Sequence, residues 1–102
     1  MSKLTVIALL AACTLLAAQA QAGDVAAGKA KAEDACADCH GDDGKGDDKV
    51  PAIAGMKADK FAKAIEEFQN GTRTKSAKMI KEAKKLSAAD VANLAAYYGT
   101  LK

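Results

Sequence analysis

The run Cys36-Ala37-Asp38-Cys39-His40 constrains this chain more than any other stretch. Two thiols separated by two residues and followed at once by an imidazole form C-x-x-C-H, the attachment signature of a c-type haem. The spacing has a chemical reason. Thiols this close reach one edge of a single macrocycle, where each adds across a vinyl group to give a thioether. The adjacent His40 then lies under the iron and binds it as proximal ligand without help from distant folding. Short motifs recur by chance, so the rest of the chain has to supply a secretory signal, a second axial ligand and a haem-sized core.

The amino terminus has the anatomy of the first. Met1-Ser2-Lys3 is a short positive region, Leu4 to Ala18 is a run rich in Leu and Ala, and Ala20-Gln21-Ala22 is an A-x-A cleavage site. Residues 1–22 read as a cleavable signal peptide and residues 23–102 as one mature domain starting at Gly23, exported to the periplasm. The apolar run is shorter than the roughly 20 residues of a spanning helix, so no integral membrane span is expected. Leu10-Ala11-Ala12-Cys13 also resembles a lipobox, which would make Cys13 a lipidated terminus. Only 12 residues precede it, however, and the apolar run continues through Leu15 and Leu16. The signal-peptide reading removes Cys13 with the leader.

Cys36 and Cys39 are then the only thiols of the mature part. A disulfide suits an exported chain, but the following histidine favours haem. Zinc needs four ligands and His40 is the sole histidine. Thioredoxin-like chemistry needs a strand–helix context, which this sequence lacks. The mature part has 80 residues, no Trp, and four aromatics in Phe61, Phe68, Tyr97 and Tyr98. A chain this small struggles to bury an adequate core. A covalent haem would provide it.

No stretch alternates β-branched residues, so the fold class is all-α: three to four helices wrapped around one covalently bound haem. The first helix is expected from Val25 to Asp38 with Asp24 as N-cap. Gly28 inside it is costly unless another helix crosses closely there. Gly41 to Gly55 reads as a flexible, solvated turn. Its aspartates make calcium conceivable, but the EF-hand spacing is absent. A second helix, Lys60 to Gln69, has Asp59 as N-cap and Asn70-Gly71 as stop, with Phe61, Ala64, Ile65 and Phe68 on one face. After a loop carrying Thr72 to Lys75, a short helix spans Ala77 to Lys85. The last helix follows Ser87, with Asp90 at the capping-box position and Val91, Leu94, Ala95 and Tyr98 on one face.

The sixth iron ligand has two thioether candidates, Met56 and Met79. Met79 lies 39 residues beyond His40, enough chain to round a haem edge and return on the other face; Met56 lies only 16 beyond and is expected to stay proximal. Core packing is the commonest use of either methionine.

These pieces together resemble a class I cytochrome c of the small bacterial monohaem type, over nearly all of residues 24–102. The resemblance rests on Cys36 to Gly41, Pro51-Ala52-Ile53-Ala54-Gly55, Phe68-Gln69-Asn70-Gly71-Thr72-Arg73, Met79, Leu86 to Val91, and Leu94-Ala95-Ala96-Tyr97-Tyr98. It implies Met79 as the distal ligand and a hydrogen bond from the His40 ring to the Pro51 carbonyl. It also implies that the first and last helices cross, with Gly28 against the Leu94–Tyr98 face.

Charge is segregated rather than large. Residues 23–55 hold eight acids and four lysines, and residues 56–102 hold five acids and ten bases. Lys75, Lys78, Lys81, Lys84 and Lys85 cluster around Met79, as an ordinary solvated face or as a docking surface for an acidic redox partner. The modest charge and the compartment argue against nucleic acid. The expected function is a periplasmic carrier of single electrons with no substrate chemistry of its own, a monomer or part of a small complex. The alternative is the electron-accepting haem subunit of an oxidoreductase such as flavocytochrome c sulfide dehydrogenase, whose haem modules look similar. An enzyme or gas sensor with an open iron site is a third class, and no second histidine is present to act as its base.

Overall fold

The computed structural model describes residues 23–102. The expected signal peptide, with its A-x-A site and Cys13, lies outside the described residues. Within them the chain is all-helical, with no strand: α1 (Val25–Ala35), α2 (Ala37–His40), α3 (Ala58–Asn70), α4 (Ala77–Lys84) and α5 (Ala88–Thr100). No described helix is long and apolar enough to cross a membrane.

Local chemistry sets most of the boundaries. Asp24 caps α1 by accepting from the Ala27 amide at 3.1 Å. Ser87 and Asp90 form the reciprocal capping box of α5, each side chain taking the other's backbone N–H at 3.0 Å. Gly71 ends α3 in the left-handed region at φ 82°. Two boundaries differ from the expectation. The first helix stops at Ala35 rather than Asp38: Cys36, stretched to φ −116° but still in the right-handed region, interrupts it, and the chain continues as the single turn α2. The α3 N-cap is Lys57, not Asp59, and Asp59 sits in the first turn, where its carboxylate accepts the Lys60 amide at 2.9 Å beside the positive end of the helix.

The most extensive helix contact is α1 against α5. At Gly28 a Cβ would stand 2.0 Å from the Asn93 carbonyl oxygen and 2.8 Å from the Tyr97 Cβ, so only a residue without a side chain permits the crossing. The Asn93 side-chain oxygen also accepts the Asp24 amide at 2.8 Å, pinning the start of α1 to α5. Behind this crossing lies a thin core: Ala32, Phe61, Ile65, Ala83, Leu94, Ala95 and Tyr98, three of the seven being alanines.

The Gly41–Gly55 segment is solvated, as expected, but fastened rather than loose. The Gly46 amide bonds the His40 carbonyl at 2.8 Å, and the Gly44 carbonyl accepts from Ile53 and Ala54 at 2.7 and 2.9 Å. The Gly55 amide reaches the Tyr98 carbonyl on α5 at 2.8 Å. Asp47 spends its carboxylate on the Lys49 and Val50 amides at 2.8 and 2.9 Å, an Asx turn. Among the described residues no three His, Cys, Asp or Glu side chains gather as a metal cage, and nothing supports the calcium alternative.

Candidate haem site

The break at Cys36 and the single turn of α2 bring Cys36, Cys39 and His40 to one place. Both thiols are free and half-buried. His40 is 6% exposed. Its Nδ1 lies 2.9 Å from the Pro51 carbonyl oxygen. A carbonyl only accepts, so Nδ1 carries a proton, which leaves Nε2 as the nitrogen that can ligate a metal. The carbonyl of His40 is itself held by Gly46, so ligand and orienting group are both set by the fastened loop. Burial pushes the Cys36 thiol up from its ordinary pKa.

The second half of the site comes from α4. The Ser76 hydroxyl oxygen accepts the Met79 amide at 3.1 Å, which starts the helix at Ala77. Met79 is half-buried against the same core that Cys36 touches. The neighbouring Lys78 ammonium is held above its ordinary pKa, chiefly by Cys39. Met79 of α4 and Cys36 thus border one core cluster. Lys75, Lys78, Lys81, Lys84 and Lys85 are all exposed, and Lys85 pairs with Glu82 at 3.4 Å.

Two residues that sequence reasoning did not single out hold α4 there. Gln69 Nε2 donates to the Ala83 carbonyl at 2.9 Å and to the Leu86 carbonyl at 3.2 Å, satisfying groups at the end of α4. Arg73 lies over the Phe68 ring at 5.4 Å and pairs with Glu67 at 2.9 Å, folding the connection back onto α3. The only hint of Gln69 in the sequence is an amide beside the apolar face of α3. Met56 also packs on the core, but it lines a different cleft of about 390 Å³ with Lys60, Lys63, Ala64, Glu67 and Arg73. Neither cysteine nor His40 lines that cleft.

The residues present fit a haem. Two free thiols sit at attachment spacing, an imidazole has its tautomer fixed for Nε2 ligation, and a soft thioether on a separate element packs on the core cluster that Cys36 also touches. The core also lacks bulk: only Leu94 and Tyr98 are large side chains buried to under 2%.

Comparison with known proteins agrees. Residues 23–97 match the family described as cytochrome c oxidase, cbb3-type, subunit III. Cytochrome c-554(547) of Halothiobacillus neapolitanus is 35% identical over 91 residues, 79% of this chain and 100% of that protein. The cytochrome subunit of sulfide dehydrogenase of Chlorobaculum tepidum is 36% identical over 65% of this chain and 59% of its own length. The solved cytochrome c4 of Acidithiobacillus ferrooxidans superposes with a TM-score of 0.74 at 30% identity, over 79% of this chain and 51% of that one. The chain belongs to this family, as a c-type cytochrome with the small class I fold, and its cofactor is covalently bound haem c with its iron.

Proposed function

We propose that this protein is a periplasmic monohaem cytochrome that passes single electrons between redox partners and transforms no substrate. The observation that carries this reading is the pair of candidate ligands from two separate elements beside one core, His40 fixed by Pro51 and Met79 packed on the cluster that Cys36 touches. Cys36 and Cys39 would hold the cofactor covalently, and His40 and Met79 would ligate its iron. When bound, the haem supplies a one-electron ferric/ferrous couple, and the thioether favours the ferrous form and raises the potential. With both positions filled, no substrate bonds to iron. The five lysines beside Met79 would steer an acidic partner toward that edge. Export follows from residues 1–22, with cleavage after Ala22.

Reduced and oxidised absorption spectra of the purified holoprotein, with and without carbon monoxide, test the proposal. A six-coordinate spectrum indifferent to carbon monoxide is expected. Rapid carbon monoxide binding would transfer the lead to an open-site enzyme or sensor. The similarity to a sulfide dehydrogenase subunit favours a second reading, a haem subunit held in a larger oxidoreductase. The size-exclusion profile of the protein from its native source separates a small free carrier from such a subunit.

A further inference from the structure

The chain has two asparagines, and their surroundings are opposite. Asn93 lies within α5, is followed by the bulky Leu94, and keeps its side-chain oxygen on the Asp24 amide at 2.8 Å. Asn70 is the last residue of α3, exposed and followed by Gly71. Its side-chain oxygen accepts the Thr72 amide at 2.9 Å, which folds the side chain back along the intervening Gly71. Gly71 stands in the left-handed region at φ 82°, and a Cβ there would meet no atom within 4 Å. The Gly71 amide is also set apart. The residues that follow the other helices each give their N–H to a carbonyl: Cys36 to Ala32 and Gly41 to Ala37 at 2.8 Å, Lys85 to Glu82 and Leu101 to Tyr98 at 3.2 Å. Among the described residues Gly71 gives its N–H to no acceptor. The backbone bond that closes this turn, to the Glu67 carbonyl at 3.0 Å, comes from Arg73 instead.

We propose that Asn70–Gly71 is a site of spontaneous covalent modification, where the asparagine loses its amide and becomes aspartate or isoaspartate. The Gly71 nitrogen attacks Asn70 Cγ and gives its proton to solvent. The Cγ–Nδ2 bond breaks, and Nδ2 takes up a proton and leaves as ammonia. Water then opens the succinimide at either of its two C–N bonds. Opening at Cγ restores the ordinary main chain with an aspartate. Opening at the main-chain carbonyl leaves isoaspartate, with the side-chain methylene now part of the backbone. Asparagine is a thermolabile residue in general, and three features favour the reaction here. The attacking nitrogen is not tied to a carbonyl. Glycine puts no side chain in its path. The Thr72 N–H already points at Oδ1, the oxygen on which negative charge develops as the nitrogen adds. The product changes what adjoins it. A new carboxylate stands at the negative end of α3, close in sequence to the Glu67 that pairs with Arg73 at 2.9 Å. Isoaspartate also lengthens the main chain inside the turn that Arg73 closes.

The site is independent of the haem, and its test needs no redox measurement. Wild-type holoprotein, Asn70→Gln and Thr72→Pro are incubated in heavy-oxygen water at mildly alkaline pH, then cleaved into peptides and weighed. Conversion during handling takes up ordinary oxygen and is thereby distinguished. The wild type should accumulate a more acidic form carrying heavy oxygen at position 70, with isoaspartate in excess over aspartate and Asn93 intact. Asn70→Gln must close a larger ring and should stay unmodified over the same period. Thr72→Pro keeps the Asn-Gly pair but has no N–H to offer Oδ1, and should convert more slowly, with circular dichroism reporting that its helices are retained. An Asn70 that stays intact, or that converts no faster than Asn93, would overturn the site. Equal rates in wild type and folded Thr72→Pro would overturn the part assigned to the Thr72 amide.

Discussion

The two halves of this molecule place their candidate ligands by opposite means. Residues 23–55 carry a net charge of −4 and hold His40 by short-range contacts: the attachment turn, the Pro51 carbonyl 2.9 Å away, and the backbone ties of the Gly41–Gly55 loop. Residues 56–102 carry a net charge of +5 and hold Met79 on a two-turn helix docked from a distance by Gln69. His40 is thus positioned by local chain geometry, and Met79 by tertiary packing. Tertiary packing yields more easily, because local opening draws on the least densely held elements. Damage to the first half should abolish the holoprotein, whereas damage to the second should leave a haem protein with altered ligation.

The largest effect tests the first half. Replacing both Cys36 and Cys39 by Ala should leave no covalent haem, and the remaining polypeptide, with its alanine-rich core, should not fold cooperatively. Acid-acetone extraction and circular dichroism report the two outcomes. A stably folded, haem-free chain would show that the protein core is sufficient and would erase the asymmetry.

Met79→Ala comes next. Haem should stay attached, the weak sulfur-to-iron band of the oxidised protein should disappear, and carbon monoxide should bind readily. Met56→Ala should leave that band intact. Met79→His should lower the potential, within the ~0.8 V that axial ligands span, because a nitrogen donor is harder than a thioether. A band lost on Met56→Ala instead would move the distal ligand to the 390 Å³ cleft side and break the comparison at its centre.

Gly28→Ala probes the seam between the halves. A Cβ placed 2.0 Å from the Asn93 carbonyl forces α1 off α5, at about 1–3 kcal/mol for overpacking, read as a lower denaturation midpoint with an unchanged haem spectrum. Gln69→Leu should be milder and confined to the distal side. It strips donors from the Ala83 and Leu86 carbonyls, about 1–3 kcal/mol. Loss of the sulfur-to-iron band should then precede global unfolding in denaturant. Coincident transitions in this variant would mean that α4 does not open separately.

The same asymmetry explains what was legible in the sequence. Caps and crossings are written in short-range patterns, so Asp24, Ser87 with Asp90, and Gly28 could be read directly, and so could the Cys36–Cys39–His40 cluster. Gln69 could not, since its acceptors lie 14 and 17 residues away and an amide near a helix end has many solvated alternatives. The Asp and Gly residues of 41–55 suggested looseness by composition. Their order comes from the partners they find on His40, Val50 and Tyr98. Whether a helix runs through Cys36 or breaks there depends on how the attachment turn is presented, and helix propensity carries no information on that.

The smallest effect lies where the halves are joined by charge. Lys31 of α1 stands 3.9 Å from Asp90 of α5, the one ion pair among the described residues that links the two segments. Asp90 has its pKa lowered chiefly by the Ser87 backbone N–H, with the Ser87 side chain and Lys31 contributing less. A carboxylate whose folded pKa is depressed stabilises the fold above its unfolded pKa, about 4. That contribution is lost as pH falls through the unfolded and then the folded value. The stability gap between wild type and Asp90→Asn should therefore be present at neutral pH and close on acidification below about 4. Added salt discriminates the cause. A gap due to the exposed Lys31 pair is screened away, whereas one due to the capping box survives. Because the backbone N–H dominates, thermal melts at high and low salt should show most of the gap retained. A gap abolished by salt would make the Lys31 bridge, rather than the local cap, the contact that fastens one half to the other.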